Sequence, residues 1–151
     1  MHSITLTIML FFILIPSIYG MGGKENSTPL EFEVIEESEQ GGTSEELFLT
    51  AHTEDEFKYI WDLTHQHIEP KPEMPEVNFD EYTVVCIMMG ERPSNDYSVD
   101  VSEVVAYEDS VIVGYSYDEI GGMLTIMAYP YEIVKFPKTT KRIVFKYRSE
   151  L

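Results

Sequence analysis

Cysteine occurs once in 151 residues, at Cys86, so no intramolecular disulfide can form and a packed core must supply the stability. Cys86 lies inside an apolar run, which reads as a buried, inert thiol rather than a nucleophile, since a nucleophile needs exposure and a positive neighbourhood to ionise. Basic residues are scarce too, with 10 Lys and Arg against 27 Asp and Glu for a net charge of −17. The scarcity is uneven: residues 25–120 hold 25 acidic and 3 basic side chains, whereas residues 121–151 hold 2 acidic and 6 basic. Nucleic acid and anionic lipid both need basic patches, so the acidic body argues against either as a partner. The charge suits solubility outside the cell, or steering toward a basic partner surface.

No apolar run reaches the roughly 20 residues of a membrane-spanning helix. The longest, residues 4–19, has the length of a signal h-region, with His2 as the only cationic side chain before it. Residues 1–22 are therefore expected to be a signal peptide, cut after Gly20 or Gly22, or else an uncleaved N-terminal anchor that is the chain's only membrane attachment. No cysteine follows that could carry a lipid at a mature N-terminus. The expected location is extracytoplasmic, secreted or held at the envelope.

Enzyme and cofactor signatures are missing as well. There is no phosphate-binding glycine loop, dinucleotide fingerprint, paired-cysteine motif or Gly-x-Ser-x-Gly elbow, and the carboxylates lack the spacing of a calcium loop. His65, His67 and Glu69 hold zinc-type donors, but residues two apart on a helix face different ways, so the expected reading is a solvated helix end. His52 reads as a surface residue. No catalytic residue, metal ligand or cofactor is assigned.

Past the leader, residues 23–30 read as a polar tether whose Asn26-Ser27-Thr28 matches a glycosylation sequon. Residues 31–37 and 47–50, separated by a turn at Gly41-Gly42, predict an opening hairpin. Thr53 before Glu54, Asp55 and Glu56 is a helix start, with a hydroxyl to cap the first turn and acids where the helix dipole favours them. Phe57, Ile60, Trp61, Thr64 and Ile68 then fall on one stripe, predicting an amphipathic helix over 53–68. Pro70, Pro72 and Pro75 stop it and favour an extended connection.

Residues 84–89 (VVCIMM) form an unbroken apolar run that predicts a central strand covered on both faces. Residues 90–96 collect turn formers, and Tyr97, Val99 and Val101 then alternate with polar residues as a strand with one wet face. Val111, Val113, Tyr115 and Tyr117 alternate likewise, Gly121-Gly122 marks a turn, and Ile143, Phe145 and Tyr147 alternate to close the chain. Between them residues 123–129 and 131–136 are apolar-rich, with Pro130 and Pro137 expected to keep one segment at an edge or bulge.

This succession resembles the C-terminal domain of the protease complex subunit PrcB, an extracytoplasmic accessory protein associated with a subtilisin-like protease. The likeness rests on a strand near residues 32–36, the charged helix, the Pro75-Glu76-Val77-Asn78-Phe79 approach, the Gly90-Glu91-Arg92-Pro93 turn, and the closing run from Tyr129-Pro130-Tyr131 to Pro137-Lys138. Where the family has Thr-Gly-Gly-Tyr after the turn proline, this chain has Ser94-Asn95-Asp96-Tyr97.

The pattern as a whole predicts one mainly β (α+β) domain over residues 31–151, an antiparallel β-sandwich or curled sheet of six to eight strands with one amphipathic helix packed on it. The resemblance implies a non-catalytic accessory protein that binds and stabilises a protease or another envelope protein. Arg92, Ser94, Asn95 and Tyr97 in the turn, with Tyr129 and Tyr131, are the candidate contacts, because binding residues concentrate on loops held by a rigid sheet. Tyr115 and Tyr117 extend this late aromatic group. The alternative is a protease inhibitor acting through its turns, since residues 93–97 and Gly121-Gly122 have a likeness to the loops of chagasin-type inhibitors.

Overall fold

A computed structural model describes residues 26–94, 96–119 and 126–148. Its elements are β1 (Thr28–Leu30), β2 (Glu33–Ser38), β3 (Leu47–Ala51), α1 (Glu54–Thr64), β4 (Tyr82–Met88), β5 (Tyr97–Ala106), β6 (Ser110–Glu119), β7 (Tyr131–Pro137) and β8 (Arg142–Tyr147). The leader and Gly121-Gly122 lie outside the described residues, and the last residues of the expected tether form β1.

The eight strands divide into two four-stranded sheets, ordered β1-β5-β6-β8 and β2-β7-β4-β3. All pairings are antiparallel except β6 with β8, which run parallel. Facing side chains of the two sheets make the first core: Val85, Ile87, Val134 and Phe136 meet Val99, Val101, Val104, Val111 and Val113. On its other face the second sheet presents Val84, Cys86, Met88, Tyr131 and Ile133 to Phe57, Ile60 and Trp61 of α1. The result is three layers, sheet on sheet on helix, and it explains the apolar run: β4 is an inner strand buried on both sides. The first sheet has a wet outer face, hence the alternation in β5 and β6.

The opening hairpin is not formed. β2 pairs with β7 and β3 with β4, so the two segments sit at opposite edges of one sheet, and the stretch between them crosses the end of that sheet. Local turn signals at Gly41-Gly42 do not distinguish a hairpin from such a crossing, because the partner strands lie far along the sequence.

The helix starts as its sequence dictates, with the Thr53 hydroxyl accepting from the Glu56 N–H at 3.3 Å. The Glu56 carboxylate accepts from the His52 N–H at 2.7 Å, one residue before the cap, and that bond holds its carboxyl below the usual range. The helix stops at Thr64, a turn short of the predicted end. Its last carbonyl accepts from the Gly42 N–H at 3.1 Å, and His65 caps the final turn by donating to Trp61 O. Gly41 makes this junction feasible: its φ is +139°, and a Cβ there would stand 2.4 Å from Thr64 O and 2.6 Å from the Tyr131 ring. The proline-rich connection is tied back where the Trp61 indole N–H donates to Pro72 O at 3.1 Å.

Candidate partner-binding surface

At one end of the second sheet three segments converge: residues 39–46, which follow β2; residues 89–94, which follow β4; and residues 126–130, which precede β7. Backbone hydrogen bonds lock them together. Met89 N–H donates to Pro130 O at 2.8 Å, Arg92 and Ala128 exchange bonds of 2.8 and 2.9 Å as an isolated bridge, Glu91 N–H donates to Ser44 O at 3.1 Å, and Tyr129 N–H donates to Glu39 O at 3.0 Å. Gly90 lets the second segment turn with φ +82°, and a Cβ there would press on the backbone of residues 44–46 at 3.1–3.2 Å. The loops therefore form a braced platform, of the kind that presents contact residues at low entropic cost.

The platform exposes Ile126 and Met127, at 50% and 48%, and its other two segments carry the exposed Glu39, Glu45, Glu46 and Glu91. Tyr129 is half-buried and donates its hydroxyl to Glu91 Oε2 at 3.0 Å, so the carboxylate pushes the phenol's pKa up and keeps it a neutral donor. Arg92 is half-buried, with its guanidinium folded back to donate to Glu91 O at 2.9 Å. Tyr117, across on β6, donates its hydroxyl to Glu46 and joins the two sheets at this end. Burial, with Glu46 second, drives the Tyr117 pKa upward.

The candidate contacts thus fall into three groups. Arg92 and Tyr129 lie on the platform. Ser94 is buried beneath the turn, and Tyr97, half-buried as the first residue of β5, packs against the first core. Asn95 lies outside the described residues. Tyr131 is 1% exposed in the second core, with its ring edge-on to His65 and its hydroxyl 3.4 Å from His65 Nε2. It supports the platform from below and offers no contact area. Strand alternation alone does not reveal this, because both faces of β7 are covered.

His65 also departs from expectation: it is 2% exposed rather than solvated, with Nδ1 2.9 Å from Trp61 O and Nε2 3.1 Å from Glu36 Oε2. No group of three or more His, Cys, Asp or Glu side chains among the described residues could hold a metal ion. Cys86 is fully buried, and burial, followed by the charges of Glu36 and Glu132, raises its pKa far above the ordinary thiol value. The late aromatic group divides as well. Tyr115, Tyr117 and Tyr147 make tilted and edge-on ring contacts with one another at centroid distances of 5.3–5.6 Å, whereas Tyr131 packs on His65.

Sequence reasoning missed Ile126, Met127, Glu46 and Glu91. The two apolar residues belong to the apolar-rich segment 123–129, for which Pro130 signals an edge or bulge but not side chains turned out to solvent.

Residues 83–137 match the family described as PrcB C-terminal. The match runs from β4 to β7 and takes in the Gly90-Glu91-Arg92-Pro93 turn, so it covers the platform segments 89–94 and 126–130 but not 39–46. No curated protein and no solved structure matches the chain.

Proposed function

From the match of residues 83–137 to the PrcB C-terminal family, we propose that the chain is an exported, non-catalytic accessory protein that binds and stabilises a protease of the subtilisin-like kind. One observation carries the reading: the loops around the family turn are cross-braced by backbone hydrogen bonds, yet leave Ile126 and Met127 in solvent on a platform whose other segments carry exposed Glu39, Glu45, Glu46 and Glu91. Exposed apolar side chains on a rigid frame give contact energy without an ordering cost, and the carboxylates steer a partner whose facing surface is basic. Stabilisation then follows from mass action: a partner bound only in its folded state gains about 2.7 kcal/mol when the accessory protein stands at 100 times its Kd.

The test is affinity capture with the tagged full chain against the extracytoplasmic fraction of its own cells, comparing wild type with Ile126→Asp/Met127→Asp. Retention of a protease by wild type, weakened at least tenfold in the double variant, supports both the partner class and the platform. Equal retention by the two removes the platform, and retention of no protease removes the partner class.

A further inference from the structure

Each sheet has two edges, and the four are unequal. β1 has three residues, one of them Pro29, and β2 carries a bulge between Val34 and Glu36. β3 has five residues and leads directly into α1. Short strands, prolines and bulges all blunt an edge against pairing. β8 carries none of these three devices and is guarded only by the charges of Arg142 and Lys146: its six residues, Arg-Ile-Val-Phe-Lys-Tyr, hold no Pro or Gly and pair with β6 in unbroken register from Ser110↔Arg142 to Tyr115↔Tyr147.

The orientation of that edge follows from one bond. Arg148 N–H donates to Tyr115 O at 2.6 Å, so by the two-residue alternation of a strand the amides of residues 142, 144 and 146 also face β6. The N–H and C=O groups of Ile143, Phe145 and Tyr147 face away from it.

The side chains define what fits there. Ile143, Phe145 and Tyr147 lie on the core side, where Phe145 meets Phe48 at 5.1 Å, Tyr147 meets Tyr115 at 5.5 Å and Tyr117 at 5.6 Å, and Tyr147 stays 47% exposed. On the outer face Arg142 and Lys146 are exposed and make no ion pair among the described residues, while Arg148 reaches Glu103 at 3.0 Å. A second copy is a poor occupant: antiparallel pairing of β8 with itself about its centre sets Arg142 opposite Lys146, and like charges directly opposed destabilise a ladder.

We propose that the edge of β8, unpaired among the described residues, accepts an extended acidic segment of a partner protein as a fifth strand of its sheet. Main-chain bonds to residues 143, 145 and 147 supply the pairing, apolar side chains of the incoming strand cover Tyr147, and its alternate acidic side chains meet Arg142 and Lys146. The cationic edge on a molecule of net charge −17 thus selects a partner strand of opposite sign. This surface is separate from Ile126 and Met127 and stands or falls without them.

The test uses the full chain and three synthetic octapeptides: alternating Val and Glu, the same with Lys in place of Glu, and the Val/Glu peptide N-methylated at alternate residues. Fluorescence anisotropy should give at least tenfold tighter binding of the Val/Glu peptide than of either other, a tenfold loss in Arg142→Glu/Lys146→Glu, and slowed hydrogen exchange at the Phe145 and Tyr147 amides. Absence of Val/Glu binding, equal binding of both charge types, or undiminished binding of the N-methylated peptide overturns the proposal. Sedimentation showing copies joined through β8 does so as well.

Discussion

Glu132 is the residue whose chemistry is most at odds with its position. It lies on the inner face of β7, 4% exposed, and its carboxylate accepts from the Val101 N–H at 2.6 Å across the gap between the sheets. The Val101 amide lies beside the bulge between Val101 and Glu103. Burial raises the Glu132 pKa to about 7; the Val101 bond opposes this, and the charges of Asp100 and Glu37 add to it. A carboxyl whose folded pKa lies above its unfolded value binds its proton more tightly in the folded state, so its contribution is fully present below the unfolded pKa and is lost as pH rises through 7. Between pH 4.5 and 8 wild type should lose on the order of 2–3 kcal/mol more than Glu132→Gln, which keeps an acceptor for Val101 and cannot ionise. Urea unfolding at the two pH values measures the difference, and parallel pH profiles would contradict it. Other residues show how far sequence reaches. Cys86 is legible as buried because its whole neighbourhood is apolar. Tyr131 and His65 are not, because both carry polar atoms that only a distant partner satisfies, each other and Glu36.

At the scale of the element, legibility follows the range of the interactions. The start of α1 is local, a hydroxyl, three acids and an apolar stripe, and the structure places its cap at Thr53. Thr53→Ala removes the acceptor for Glu56 N–H and should lower stability by about 1 kcal/mol, read as a shift in the urea midpoint at unchanged slope. An unchanged midpoint would show the cap to be dispensable. The end of the helix is nonlocal, because Gly42 takes the Thr64 carbonyl, and so it falls short of the periodic pattern. β4, β5 and β6 are visible as strands from apolar runs and alternation, yet the pairing of β2 with β7 and the parallel joining of β8 to β6 depend on segments far apart in the chain. The candidate surface shows the same division. Arg92 is found through turn chemistry and Tyr129 through the late aromatic group, whereas Ile126 and Met127 become contact candidates only once Ala128 is seen to bridge to Arg92.

For the whole molecule, charge and connectivity matter more than any one contact. Six ion pairs occur among the described residues, one of them the His65–Glu36 contact, too few to offset 27 acidic side chains, so the folded state carries self-repulsion that salt screens. The melting temperature should rise between 10 mM and about 0.5 M NaCl, a range over which the Debye length falls from about 30 Å to a few ångström. A flat or falling trend would mean that the carboxylates are too dispersed to repel. On the proposed reading, the same excess of acid would speed the encounter with a partner whose facing surface is basic, through long-range attraction followed by short-range packing.

The central claim is that a protease is both bound and protected, and the thermal half-life of the captured protease, with the full chain present or absent, tests it most directly. A longer half-life with full proteolytic activity, and no extension by Ile126→Asp/Met127→Asp, is the expected result. An unchanged half-life, or a protease held in inhibited form, would contradict the accessory role, and the inhibited form would mark the chain as an inhibitor acting through its loops.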